Sequence, residues 1–284
     1  MSKPSRKILM LHGYTQSASI FSKRVAAMRK ACPKDIDFVF VDAPTILTPT
    51  DIAATFGTPA EEDKSSSLAS LGAAEASADA ADPALLPRAW WKATPQETES
   101  KELTDSLATL RDILKAETYE GVLGFSQGAA MAAVLTALLE RPERYPEFLV
   151  DGKPPHPPFK FCVSVAGFLP RGDLPAAIFE SGYSTPTLHV LGKNDIVVTE
   201  ERARTLLELS LVKRVVEHDG GHFVPSKGPW RKFFAEYFKQ PDQLNLVPAP
   251  GVGAPASGTA TPVESSIVAP VPTDAAERSE PVAP

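Results

Sequence analysis

The chain has 284 residues, 43% hydrophobic and 23% charged, with a formal net charge of -6 at pH 7 and a pI near 5.5. That length fits one large domain or two small ones, and the acidic balance excludes the basic footprint of a nucleic-acid binder. Two cysteines, Cys32 and Cys162, exclude a disulfide-built scaffold and a four-cysteine zinc site.

In chain order, the residues before His12 lack the apolar stretch of about 7–15 residues that a signal peptide needs. No run approaches the ~20 apolar residues of a membrane span, so the expectation is a soluble cytoplasmic protein. Short β-branched apolar runs then alternate with stretches whose apolar residues recur every three or four positions. The predicted strands are Lys7–His12, Asp37–Asp42, Gly121–Phe125, Phe161–Ala166, Thr187–Leu191 and Val212–Glu217. The predicted helices are Ile20–Ala31, Gln96–Lys115, Gln127–Glu140, Glu200–Ser210 and Trp230–Lys239. Leu103, Leu107, Leu110 and Leu114 mark the buried stripe of the second. Strands alternating with helices predict an α/β fold, a parallel sheet covered on both faces.

Two segments break the rhythm. Gly57–Arg88 is rich in alanine, serine and acids and reads as a variable surface insertion. Residues 241–284 hold nine prolines and no aromatic residue, and read as a disordered tail after a near-neutral globular body at 1–240. An inert extension is the simpler role for that tail, and a polyproline segment recognised by a partner is the alternative. Lys227, Arg231 and Lys232 read as the wet face of the last helix, and the two cysteines as small buried residues.

Binding groups in such sheets collect beyond the carboxyl ends of the strands. There, after Gly121–Phe125, stands Gly124-Phe125-Ser126-Gln127-Gly128, followed at once by an apolar helix. This is Gly-x-Ser-x-Gly between strand and helix, where a sharp turn projects a serine hydroxyl above the sheet and the glycines admit close backbones. The hydroxyl needs a base, and the base needs an orienting acid, in chain order serine, acid, histidine. Of five histidines, His12 closes a buried strand and reads as a loop-holding residue, His156 as a solvated residue in a proline-rich connection, and His189 as a mid-strand core residue. His222, on the Gly220-Gly221-His222 loop past the last strand, fits the base, and His218 is the rival. Asp195 follows the preceding strand and fits the acid, with a helix-capping or turn role as the bland reading and Asp219 as the rival. The oxyanion is expected to meet two backbone N–H groups, those of Gln127 and of Tyr14 on the loop after the first strand. Trp90 and Trp91 either line an acyl pocket or anchor the insertion to the body.

The ordered set Leu11-His12-Gly13-Tyr14-Thr15-Gln16-Ser17, Phe38-Val39-Phe40-Val41-Asp42-Ala43-Pro44, Arg88-Ala89-Trp90-Trp91, Gly124-Phe125-Ser126-Gln127-Gly128 and Gly220-Gly221-His222 resembles the fungal FSH family of serine hydrolases. That family includes ovarian-cancer-associated hydrolases and polyketide-releasing thioesterases. The resemblance covers roughly residues 6–240 and implies an α/β-hydrolase fold, with Ser126 as nucleophile, Asp195 as acid and His222 as base. With right-handed crossovers it implies a six-stranded sheet in the order 2-1-3-4-5-6. It also implies esterase or thioesterase activity with no metal or other cofactor. The leading expectation is hydrolysis of small or medium acyl esters through an acyl-enzyme. The alternatives are an acyl-thioesterase acting on a carrier protein or coenzyme A, and a hydrolase-fold protein that binds a ligand or partner without turnover. The Gly57–Arg88 insertion falls in a region that varies within that family and bounds its pocket, and the proline-rich tail has no counterpart in the motif set.

Overall fold

All six expected strands form, each within one residue of its expected bounds: β1 (Arg6–Leu11), β2 (Ile36–Val41), β3 (Gly121–Phe125), β4 (Phe161–Val165), β5 (Thr187–Gly192) and β6 (Lys213–His218). In the computed structural model, which describes residues 6–56, 76–77, 81–93, 100 and 102–250, they pair all-parallel in the order β2-β1-β3-β4-β5-β6. The chain order reverses between β1 and β3, which opens a crevice at their carboxyl ends.

Period-two alternation splits the apolar residues between the two faces. Leu9, Leu11, Val122 and Cys162 face one core with α4 (Leu103–Ala116), α5 (Gln127–Glu140), α6 (Asp173–Ile178) and α7 (Glu200–Leu209). Ile8, Met10, Leu123, Val163 and Leu188 face the other, with α1 (Ala18–Arg24), α2 (Ala26–Ala31) and α8 (Gly228–Tyr237). Helix α5 is buried from Gln127 to Leu139, which its small side chains allow, so it lies directly under the crevice.

The differences from expectation are local. The single helix expected over Ile20–Ala31 is broken at Val25. Of the helix expected over Gln96–Lys115, the stretch Leu103–Ala116 forms behind a left-handed Glu102 (φ 59°), while positions 96–99 and 101 lie outside the described residues. Helix α3 (Pro49–Phe56), α6 and a two-residue antiparallel ribbon, Thr45–Ile46 against Arg88–Ala89, carried no periodic signal long enough to announce them. The packed chain also runs past 240: Leu244 is buried among the α8 aromatics, and its carbonyl accepts from Arg214 Nη1 at 2.6 Å. A few apolar residues sufficed there where the proline-rich average of 241–284 had masked them. Residues 251–284 lie outside the described residues, as do 57–75 and 78–80 of the insertion. Its described part packs on the body, with Ala76 and Leu85 against Ile20. Lys227, Arg231 and Lys232 are exposed, and both cysteines are buried free thiols. Among the described residues no helix is long and apolar enough to cross a membrane.

Candidate active site

Ser126 follows β3 directly and precedes α5, at φ 54° and ψ -118°, a conformation that costs a residue with a Cβ energy and persists only where its surroundings fix it. They do. Ser126 N donates to Val165 O at 2.8 Å, and Ser126 O accepts from Ala129 and Ala130 N. The two motif glycines are steric necessities. A Cβ on Gly124 would stand 2.1 Å from Gly128 O, and one on Gly128 would stand 2.2 Å from Leu11 O. The turn therefore presses α5 against both β3 and β1.

The loops after β5 and β6 bring their candidates to this serine. His222 Nε2 lies 2.9 Å from Ser126 Oγ, and His222 Nδ1 lies 2.8 Å from Asp195 Oδ2. The two side chains of that second pair are only 3% and 2% exposed, so water does not compete for the contact. The other carboxylate oxygen, Oδ1, accepts from Val197 N (2.9 Å) and Val198 N (2.8 Å), which fixes the acid's orientation from the far side. Burial pushes the Asp195 carboxyl up, but the hydrogen bond and charge of His222, with the two amides, outweigh it and hold the group below the ordinary carboxylate range. The two loops are tied together: Asn194 N donates to Gly220 O at 3.0 Å and Asn194 Nδ2 to Asp219 O at 2.8 Å. Asp195 thus takes the turn role and the histidine-facing role at once.

The rivals stand elsewhere. Asp219 is 90% exposed and paired with Lys193. His218 Nδ1 accepts Gly220 N–H at 3.2 Å and its ring packs on Phe223 and Trp230, which makes it a brace for the His222 loop. His189 is buried in β5, as expected. His12 holds its loop, as expected: Nε2 accepts Ala43 N–H (3.0 Å) and Nδ1 meets Gly13 O (2.8 Å), while burial pushes its pKa down to about 4 and keeps the ring neutral. His156 is a correction. It is buried, with Nε2 accepting Tyr119 N–H at 2.8 Å and its ring between Tyr119 and Phe159, while Pro154, Pro157 and Pro158 around it stay exposed.

Trp90 corrects the pocket-lining reading in favour of anchoring. With 0% exposure it offers no surface to a ligand, and its Nε1 donates to His12 O at 2.9 Å. Trp91 is also buried, edge-on to Phe168. Gln127 is the first residue of α5, where an N–H has no intrahelical carbonyl to meet. Gly13, just before Tyr14, lies against the serine, a Cβ there being 3.4 Å from Ser126 Cβ. Sequence reasoning missed two polar side chains beside these residues. The Gln127 amide bonds the Trp90–Trp91 backbone, and Thr55 Oγ1 meets Tyr14 Oη at 3.0 Å. The glutamine inside the motif was the one available signal, since a buried amide at the start of an apolar helix needs partners.

The sequence profile described as serine hydrolase (FSH1) matches residues 1–234. Esterase OVCA2 of Danio rerio is 32% identical over 251 residues, spanning 84% of this chain and 99% of that protein. Esterase AGAP003155 of Anopheles gambiae is 29% identical over 248 residues, spanning 84% and 79%. Among solved structures, Zea mays acyl-protein thioesterase 2 superposes over 84% of this chain and 94% of its own with a TM-score of 0.51 at 17% identity, a likeness of fold alone. With an α/β-hydrolase fold and a profile match over most of its length, the chain belongs to the FSH1 family of serine hydrolases.

Proposed function

We propose that the protein hydrolyses carboxylic esters of small or medium acyl chains through an acyl-enzyme on Ser126, with His222 as general base and Asp195 as its orienting acid. The observation that carries this reading is the continuous relay of 2.9 Å and 2.8 Å contacts from Ser126 Oγ through His222 to Asp195. Neutral His222 Nε2 takes the hydroxyl proton as Oγ bonds to the ester carbonyl carbon. The carbonyl oxygen becomes an oxyanion held by the N–H groups of Gln127 and Tyr14. The intermediate collapses, the C–O bond to the alcohol breaks, and His222 returns its proton to the leaving oxygen. Water then repeats the sequence on the acyl-enzyme and frees the acid. Asp195 stays ionised throughout and stabilises the imidazolium. The names of the zebrafish and mosquito relatives, both esterases, support the bond class. The proposal includes a cytoplasmic site of action, which the two unpaired thiols support.

A fluorophosphonate probe tests this. Labelling mapped to Ser126 and abolished in Ser126→Ala is the expected result. A folded native protein that resists the probe and turns over no ester would overturn the reading and leave a binding role. Matched esters and thioesters of one acyl chain then compare leaving groups, and faster thioester turnover would move the assignment to a thioesterase.

A further inference from the structure

The Gln127 side chain makes two main-chain bonds to one distant segment: Oε1 accepts Trp90 N–H at 2.8 Å and Nε2 donates to Trp91 O at 2.7 Å. That same segment holds the loop after β1 on both sides of Tyr14. Trp90 Nε1 donates to His12 O at 2.9 Å, Thr15 N donates to Arg88 O at 2.9 Å, and Arg88 N donates to Gln16 O at 3.0 Å. The peptide units flanking Gly13–Tyr14 are thereby anchored. The carbonyl of the Gly13–Tyr14 unit itself meets His12 Nδ1 at 2.8 Å and accepts Gln16 N–H at 3.2 Å. In a trans peptide the N–H points opposite to the carbonyl, so these bonds also set the direction of Tyr14 N–H.

We infer that Gln127 is a positioning residue that clamps the 88–93 segment and, through it, aligns the Tyr14 and Gln127 amides as one oxyanion-binding pair. The inference rests on the acyl-enzyme reading above. Its logic is that one residue carries an oxyanion donor on its backbone and a clamp on its side chain. The Gln127 amide cannot move without dragging the segment that fixes the other donor. An oxyanion hole works by donors already in place before charge develops, and displacement of the order of an ångström costs about 100-fold in rate.

Gln127→Met keeps the side-chain length and removes both bonds. The experiment compares an ester with its thionoester, in which the developing anion sits on sulfur, a larger and poorer hydrogen-bond acceptor. Rates are taken per active site counted by fluorophosphonate titration, which discards any misfolded fraction. The expected result is kcat for the ester lower by about 10- to 100-fold with KM within about two-fold, and an ester-over-thionoester preference reduced by a similar factor. Ester and thionoester rates that fall in parallel, or an unchanged preference, would overturn the clamp while leaving Ser126 labelling, and hence the acyl-enzyme reading, intact. Should Gln127→Met fail to fold, Trp90→Phe decides the matter. It deletes the bond to His12 O and trims the buried ring packed on His12 while keeping both Gln127 bonds to the segment, and the preference must fall there too. Gln127→Glu, which keeps the acceptor for Trp90 N–H, is expected to retain more of the preference than Gln127→Met.

Discussion

Ser126, Asp195 and His222 each stand within four residues of the strand that delivers them, whereas the loop bearing Tyr14 is held by Trp90, 78 residues from the carbonyl it bonds. One half of the site is thus assembled from strand ends, the other by long-range bonds between loops. The strand-end half needs only the sheet to be correct. The oxyanion half needs a segment with almost no regular structure to be pinned by side-chain amides and indole N–H groups. Substitutions in the first half should remove chemistry and spare the fold. Those in the second should disturb both.

The strongest test is Ser126→Ala. It should lower ester turnover by about 10⁶-fold while the melting temperature stays within a few degrees, since Ser126 Oγ bonds to His222 alone among the contacts described. A residual rate within 100-fold of the native enzyme would break the comparison by moving the nucleophile elsewhere. Asp195→Asn should follow with about a 10⁴-fold loss in kcat. The variant retains an oxygen for the Val197 and Val198 amides, so the turn survives while the imidazole loses its ionic partner. Equal loss of activity and of folded protein would show that the acid's chief work is the turn.

Gly128→Ala marks where the halves meet. Its new Cβ would stand 2.2 Å from Leu11 O and 2.4 Å from His12 O, against main chain that has no rotamer to change. A cost of about 4 kcal/mol or more is expected in urea unfolding, in the range reserved for named structural defects. An unfolding midpoint close to that of the native chain would mean that β1 and α5 can part, and the site's rigid frame would have to lie elsewhere.

The same division decides what could be read from the sequence. Strands and the glycine-framed serine were legible because period-two burial and steric exclusion are local properties of the chain. Asp195 and His222 were legible because position after a strand end is nearly position in the site. The roles of Trp90, Gln127 and Thr55 were not, because each depends on a backbone partner far along the chain that no periodicity encodes. His156 was misread for a related reason. Proline-rich sequence near a histidine describes composition, while burial depends on where Tyr119 and Phe159 lie. Helix α3 was missed because eight residues carry too little periodic signal.

A smaller effect sharpens the oxyanion half. Tyr14 is buried with its hydroxyl on Thr55, and Thr55 Oγ1 also bonds to Ala93 O. Tyr14→Phe should therefore cost about 1 kcal/mol in stability, the usual net value of one hydrogen bond, since Thr55 keeps a second partner. Calorimetric melting would read this. No change in melting temperature would show that α3 is held without the Tyr14 hydroxyl, by the apolar contacts around Tyr14, Leu47 and Ala89 and by the bonds of Asp51 and Thr55 to Lys92 and Ala93.

The gentlest perturbation is pH, and it separates two buried histidines that look alike. Burial pushes His12 down to about 4 and His189 to about 3. In the unfolded chain both titrate near 6.5. Between those values the unfolded state binds more protons, so stability is full above about pH 6.5 and falls as the pH drops, by at most ~1.4 kcal/mol per pH unit for each histidine. Asp195, held below the carboxylate range, contributes with the same sign only at lower pH. His189 Nε2 has no hydrogen-bond partner among the described residues, so His189→Leu forfeits no bond at that atom. Urea titrations of that variant at pH 5 and pH 8 should show a shallower pH slope than the native protein, with His12 and the burial-lowered His156 and His218 keeping their share, and ester turnover unchanged at pH 8. His12→Leu should flatten the slope similarly, yet it strips the bonds to Ala43 N and Gly13 O and should therefore lower turnover as well. If the two variants behaved identically in turnover, His12 would be scaffold like His189. The oxyanion half would then be held by the 88–93 segment without help from the end of β1.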